Sequence, residues 1–375
     1  MNPRRERFKH AMSRFEPSDD PADALKHGLY VEAPSQSIAN RTHALLELRP
    51  RSSHIIAGPS GTGKTMQLRV LERALNKADD LDPLFVDVTT PKRDLQQPGQ
   101  LIEHLTAQLQ SLKIKDQSKG ELGPLLVMAI LHALAPKPSP AVDLLGRVLA
   151  PAKAPMTDAV QTIAQLKRKP VLLLDSLDRL PIEVFTELAT GDLAKIQEHM
   201  AVVVVGPPAV MYGAAREVVD QFDYFLRQPT YHPTHGGEMH AFLTQILRQR
   251  ADEDMLPAES CVPLVEASGG ILRDLIALTQ LALEESYVAG HERVEVPDVR
   301  RAIDTFGRKH IIGLDSRELD LLQHLRTTGN FVRVDDRDVS LLVTRRVLEY
   351  AGPTGAPTFA VHPTLLPLLE LMEGA

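Results

Sequence analysis

His54-Ile55-Ile56-Ala57-Gly58-Pro59-Ser60-Gly61-Thr62-Gly63-Lys64-Thr65-Met66 joins a short apolar run, a turn with three glycines and the start of a helical pattern that extends to Ala78. It has the G-x-x-x-x-G-K-[ST] spacing, in the strand, turn and helix context that gives the spacing its meaning. The glycines let successive backbone N–H groups turn inward as an anion nest, and the helix N-terminus adds its positive dipole end. Residues Gly58, Pro59, Ser60, Gly61, Thr62, Gly63, Lys64, Thr65 and Met66 are therefore the expected phosphate cradle. Lys64 is expected on the β- and γ-phosphates. The Thr65 hydroxyl is expected on Mg²⁺, a hard ion that keeps several waters and takes one or two protein oxygens.

Further apolar runs follow at Leu84 to Val88, Val171 to Leu174 and Val202 to Val205. Near-continuous Val/Leu runs suit parallel strands buried on both faces. Helical patterns separate them, at Gly99 to Leu112 and Ile182 to His199, so the alternation predicts an α/β parallel sheet with helices on both faces. The third run ends in Leu174-Asp175-Ser176-Leu177-Asp178. A buried strand holding Asp175 at its C-terminal edge is what a magnesium-side carboxylate needs. Ser176 stands where a glutamate would polarise the attacking water, which predicts slow hydrolysis; Asp178 and Glu183 are the candidates to substitute.

The domain boundaries follow from changes in pattern. Residues 1–50 are polar and broken by prolines, an N-terminal arm and lead-in with one helical stretch, Ile38 to Leu48. Residues 51–235 form the α/β core, with a proline-rich insertion at about 136–156. Residues 236–310 read as a helical lid, interrupted only by the strand-like Val294-Glu295-Val296. Residues 311–375 open on the helical Ser316 to Arg326 and close on a hairpin, Val347 to Tyr350 and Phe359 to Val361, an order that suggests a winged helix.

Composition excludes several classes. The chain has 375 residues, net charge −7 and a single cysteine, which leaves no disulfide framework and no multi-thiolate metal site. Cys261 reads as a small structural residue in a reducing, cytoplasmic setting. The basic start, with Arg4, Arg5, Arg7 and Lys9, lacks the apolar core of a secretory signal and reads as a frayed arm. The longest near-apolar stretch, Leu125 to Ala135, is too short to span a bilayer, so no membrane role is expected. An acidic chain argues against broad polyanion binding and confines any DNA contact to a local patch.

The motif order resembles the AAA+ and STAND-type ATPases: phosphate loop, Asp-bearing third strand, fourth strand, helical lid. Asp175-Ser-Leu-Asp178-Arg179 is also similar to the third strand of KAP and NACHT members. The resemblance spans about residues 30–310 and implies ATP with Mg²⁺ as ligands. Ala267-Ser-Gly-Gly270-Ile-Leu-Arg273 looks like the lid's sensor-2 motif, which implies that Arg273 reaches the γ-phosphate. A guanidinium fork suits that task and can couple lid closure to the nucleotide. Val296 to Ile303 resembles the last lid helix. Gly206-Pro207-Pro208 stands where these families carry a polar sensor-1 residue. Arg216 and Arg227 are available as a finger for a neighbouring subunit, so homo-oligomer formation is compatible with the sequence.

Two rival motifs fail on order. Ser268-Gly269-Gly270 follows the Asp-bearing strand, whereas the ABC signature precedes it. Asn76-Lys77-Ala78-Asp79 matches the guanine-reading pattern but lies at the end of the helix after the phosphate loop. The C-terminal 65 residues, from Ile311, carry six Arg/Lys against nine Asp/Glu. This favours a protein partner over DNA for the winged helix, with Arg345 and Arg346 as the residual DNA candidates. His232, His235 and His240 lack carboxylate or thiolate partners at ligand spacing and read as surface histidines, so Mg²⁺ is the only metal expected. The leading expectation is a nucleotide-dependent switch in a multiprotein assembly. The alternatives are a DNA-binding initiator or transposition-type regulator whose winged helix and basic arm, Arg4, Arg5, Arg7 and Lys9, grip duplex, and a nucleotide-binding scaffold without turnover.

Overall fold

The computed structural model describes residues 3–16, 21–34, 37–88, 101, 105, 169–213, 216–352 and 356–373. The expected helix at 99–112, the near-apolar stretch at 125–135 and the proline-rich insertion at 136–156 lie outside the described residues. In chain order the first elements are α1 (Pro3–Phe15), α2 (Ala22–Lys26), α3 (Ile38–Leu48), β1 (Ser53–Ala57), α4 (Lys64–Leu75), β2 (Leu81–Asp87) and β3 (Lys169–Asp175). Then come α5 (Ile182–Leu188), α6 (Ala194–Gln197), β4 (Ala201–Val205), α7 (Arg216–Val219), β5 (Tyr224–Arg227), α8 (Glu238–Arg248), α9 (Ala258–Ala267) and α10 (Leu272–Ala289). The last are α11 (Val296–Ile311), α12 (Ser316–Thr328), α13 (Asp336–Val343), β6 (Val347–Ala351), β7 (Pro357–Val361) and α14 (Leu366–Glu373). Among the described residues no helix is long and apolar enough to cross a membrane.

The chain forms two compact units, and it passes from one to the other on either side of the phosphate loop. One unit holds residues 38–57 and 64–227; the other holds 1–37, 58–63 and 228–375.

Among the described residues, the first unit is built on a sheet of five parallel strands in the order β2-β3-β4-β1-β5. Alternate residues of each strand feed opposite faces, as the period of two requires. Leu172, Leu174, Val202 and Val204 join Ile55, Phe185 and Leu193 on one face. Val171, Leu173, Val203 and Val205 join Ile56, Leu68, Leu71 and Leu75 on the other. With both faces covered, β1, β3 and β4 carry the apolar runs Ile55 to Ala57, Val171 to Leu174 and Ala201 to Val205. The fifth strand, β5, is not visible in that way: it is an edge strand in which Phe225 and Arg227 are exposed and only Leu226 is buried. The helical pattern at Ile182 to His199 is realised as α5 and α6 joined by a π-helical turn, Ala189–Leu193.

The second unit is mainly helical. Contrary to the expectation of a frayed arm, α1 is docked: Phe8, Ala11 and Phe15 share a core with Leu275, Leu278, Leu283 and Phe306 of α10 and α11. Its apolar residues fall three and four apart, a helical stripe diluted by the basic residues around it. Val294-Glu295-Val296 is not a strand. Glu295 caps α11 in a reciprocal box with Asp298, and Val296 is already helical. β6 and β7 pair antiparallel, with Val347 opposite Val361 and Tyr350 opposite Thr358.

Candidate nucleotide site

The turn after β1 depends on glycine at defined points. Gly61 and Gly63 have φ of +84° and +97°, a region that residues with a Cβ enter at a cost. A Cβ on Gly61 would lie 2.8 Å from the Arg273 Cβ, and one on Gly58 would lie 2.6 Å from the Gln228 carbonyl oxygen. The Thr62 hydroxyl closes the turn by donating to the Pro59 carbonyl at 2.8 Å.

Arg273 opens α10. Its backbone N–H donates to the Gly61 carbonyl at 3.1 Å, and its guanidinium Nη1 donates to Ser60 Oγ at 2.9 Å. The structure thus brings Arg273 onto the phosphate loop, more than 200 residues away in the chain.

In the sheet unit, α4 begins at Lys64, and Lys64 is buried. Its Nζ lies 3.2 Å from Asp178 Oδ2, which the turn Leu177–Arg179 presents just past the end of β3. Thr65 Oγ1 donates to Asp175 Oδ1 at 3.2 Å. Burial pushes the Asp175 carboxyl up to about 6. The Ser176 N–H and Thr65 hydroxyl pull it down, while Asp178 and Asp87 push it further up. Asp87 ends β2 directly opposite Asp175 in the parallel register. Sequence reading does not single it out, because its strand, Leu81-Asp-Pro-Leu-Phe-Val-Asp87, is half-buried and mixed. Its signal is positional: an acid at the C-terminal end of the neighbouring strand.

Ser176, at the position of the polarising glutamate, is buried and adopts φ +69°, the left-handed region. The other candidates divide. Asp178 is engaged with Lys64, while Glu183 lies in the first turn of α5. At the end of β4, Gly206 takes the place of a polar sensor. Its N–H donates to the Ile56 carbonyl at 3.0 Å, and a Cβ there would meet the Ile55 side chain at 2.7 Å, so a larger residue would require Ile55 to shift. Arg227 ends the edge strand β5 and is exposed; Arg216 opens α7.

The residual DNA candidates are committed inside the protein. Arg345 pairs with Asp274 through two 3.0 Å hydrogen bonds. Arg346 donates to the carbonyls of His310 at 2.9 Å and Ile312 at 2.7 Å. Arg4 donates to the carbonyls of His291 and Tyr287 at 2.8 and 2.7 Å, and Arg7 lies 3.6 Å from Glu292. The histidines are likewise not all isolated: His235 Nδ1 lies 3.5 Å from Glu266 Oε1, and the ligand atoms of His235, His240 and Glu266 fall within 4.8 Å of one another. Glu266 comes from the end of α9, too far along the chain for ligand spacing to reveal. Cys261 is buried, and burial pushes its thiol up to about 11, as befits an inert core residue.

Residues 48–211 match the family model described as an AAA domain. No curated protein matches the chain. Among solved structures, Cdc6p from Pyrobaculum aerophilum is similar at 15% identity and a TM-score of 0.48, over 96% of this chain and 98% of that one. The Aeropyrum pernix ORC1 protein, solved in complex with DNA, is 16% identical with a TM-score of 0.45, over 94% and 96%. The RuvB Holliday junction branch migration motor of Thermotoga maritima is 14% identical with a TM-score of 0.43, over 91% of each chain. The match to the AAA domain model covers residues 48–211, the stretch that holds the phosphate loop and strands β1 to β4 of the parallel sheet.

Proposed function

We propose that this protein binds ATP with Mg²⁺ and acts as a nucleotide-dependent switch in a multiprotein assembly. The observation that carries the reading is Arg273, held by its own backbone and side chain against Gly61 and Ser60 of the phosphate loop. In the proposed state Lys64 neutralises the outer phosphates, the loop N–H groups cradle them, and Arg273 supplies a fixed guanidinium from the lid.

Thr65 and Asp175 fit Mg²⁺. A hydroxyl and a carboxylate stand side by side, and the carboxylate is held up near 6 by burial and by two neighbouring acids, a penalty that a cation removes. When bound, Mg²⁺ would neutralise charge on the phosphates. Lys64 would then exchange Asp178 for phosphate. Moving a switch from 1:99 to 99:1 takes about 5.5 kcal/mol of differential affinity, within reach of a few charge-assisted phosphate contacts.

A reading without appreciable turnover is favoured by Ser176, since serine cannot polarise the attacking water as glutamate does, and Asp178 is drawn toward Lys64. The commitments of Arg345, Arg346 and Arg4 weigh against the reading as a DNA-gripping initiator. The deciding experiment is calorimetric binding of MgATP together with single-turnover hydrolysis, for wild type, Lys64→Ala and Arg273→Ala. Tight binding lost in Lys64→Ala and weakened in Arg273→Ala is expected. Hydrolysis that is measurable and Lys64-dependent would retire the turnover-free reading, and unchanged MgATP affinity in Lys64→Ala would refute the site itself.

A further inference from the structure

The residue after Arg273 is Asp274, and its carboxylate is buried. Both oxygens are taken by the fork of Arg345: Nε donates to Oδ2 and Nη2 to Oδ1, each at 3.0 Å. His362 Nε2 lies 3.4 Å from the same Oδ2. Burial alone would raise the Asp274 carboxyl, but His362 and Arg345 hold it below the usual carboxylate range. Arg345 comes from the turn between α13 and β6, at φ +63°. A left-handed arginine is strained, and such a conformation persists only where its surroundings over-determine it. Here the two hydrogen bonds to Asp274 supply that constraint.

The same segment is held at two more points. Tyr350 of β6 donates its hydroxyl to the Gly269 carbonyl at 2.8 Å, and Ile271 packs with Leu348, Tyr350 and Ala360 of the hairpin. Gly269 has φ +57°, and a Cβ there would come within 2.3 Å of Leu348 Cδ1, so the hairpin approaches the backbone directly. Residues 269–274 therefore lie against the C-terminal hairpin through Asp274, Ile271 and Gly269, and against the phosphate loop through Arg273.

We propose that Arg345 is a positioning residue for Arg273. By clamping Asp274 it fixes the first turn of α10, so that the placement of Arg273 on the loop depends on a docked hairpin. The inference rests on the reading of Arg273 as a phosphate contact. Linkage makes the effect reciprocal: a nucleotide that draws on Arg273 tightens the hairpin, by the same factor by which the hairpin tightens the nucleotide. Lysine cannot replace Arg345, because it offers a point charge where Asp274 takes a planar fork.

The test uses the full chain with MgATP and MgADP as probes, in wild type, Arg273→Ala, Arg345→Ala, Arg345→Lys and the double variant Arg273→Ala/Arg345→Ala. Affinities come from calorimetry, and amide exchange is followed across residues 347–351 and 357–361. Circular dichroism establishes which variants are folded; if Arg345→Ala is not, Arg345→Lys and Tyr350→Phe carry the test. The expected result is an MgATP affinity about five- to tenfold weaker in each Arg345 variant, with MgADP less affected. In the double variant the loss should not exceed that of Arg273→Ala alone, and MgATP should slow hairpin exchange in wild type but not in Arg345→Lys. Folded Arg345 variants with wild-type MgATP affinity, while Arg273→Ala is impaired, would overturn the clamp alone. An Arg273→Ala protein that binds MgATP as wild type does would overturn both the clamp and the phosphate reading beneath it.

Discussion

Asp175 shows how burial can hold a single residue in a costly state. Its carboxyl is raised from an ordinary value near 4 to about 6, so between those values the folded protein binds more protons than the unfolded chain. Stability then falls as pH rises through that window, by about 3 kcal/mol in full, and the cost is absent below it. In protein free of metal and nucleotide, Asp175→Asn should therefore melt at a higher temperature than wild type at pH 8 and nearly together with it at pH 4. Saturating MgATP should reverse the order at pH 8. Thermal scans at the two pH values check both statements. Gly270 is a second decisive residue. At φ +78°, a Cβ would sit 1.5 Å from the Tyr231 carbonyl oxygen, an overlap that only backbone movement could relieve. Gly270→Ala should cost about 3–5 kcal/mol in urea unfolding, whereas a glycine needed only for its flexibility would cost far less.

Helix α1 shows the same dependence on surroundings at the scale of an element. Its basic residues read as a solvated arm, but Arg4 caps the end of α10 by donating to the His291 and Tyr287 carbonyls, and it stacks over the Tyr287 ring at 4.5 Å. A cation at a helix C-terminus is favourable, and the ring contact adds to it. Arg4→Ala should lower stability by about 1–2 kcal/mol, and Phe15→Ala, which removes a fully buried ring, by about 3–5 kcal/mol. Chemical denaturation of the two variants measures both; a loss under about 0.5 kcal/mol from Phe15→Ala would mean that α1 is not docked in solution. Strands β1, β3 and β4 and helices α3 and α4 are legible in the sequence because their burial is nearly uniform or strictly periodic. Strand β5 and the start of α11 are not, because edge exposure dilutes one pattern and two valines imitate a strand in the other.

For the whole molecule, nucleotide binding is expected to register as added stability. A ligand that binds the folded protein alone, at 100 times its dissociation constant, adds about 2.7 kcal/mol. MgATP at that level should raise the melting temperature of wild type and leave Lys64→Ala unmoved. Equal shifts in the two proteins, read by calorimetric scanning, would show that the stabilisation does not come through the phosphate loop.

The sequence by itself determined the phosphate loop, the Asp175 strand, the α/β alternation and the order of sheet, helices and hairpin, because each is a local pattern: glycine spacing, apolar runs, helical periodicity. Tertiary structure alone decided what the charged side chains do. Arg345 and Arg346 are written as exposed basic residues yet are spent on Asp274 and on backbone carbonyls, Asp178 faces Lys64, and Asp87 stands beside Asp175. Charges have no periodicity to reveal their partners, and those partners lie tens to hundreds of residues away, so their roles exist only once the chain has folded.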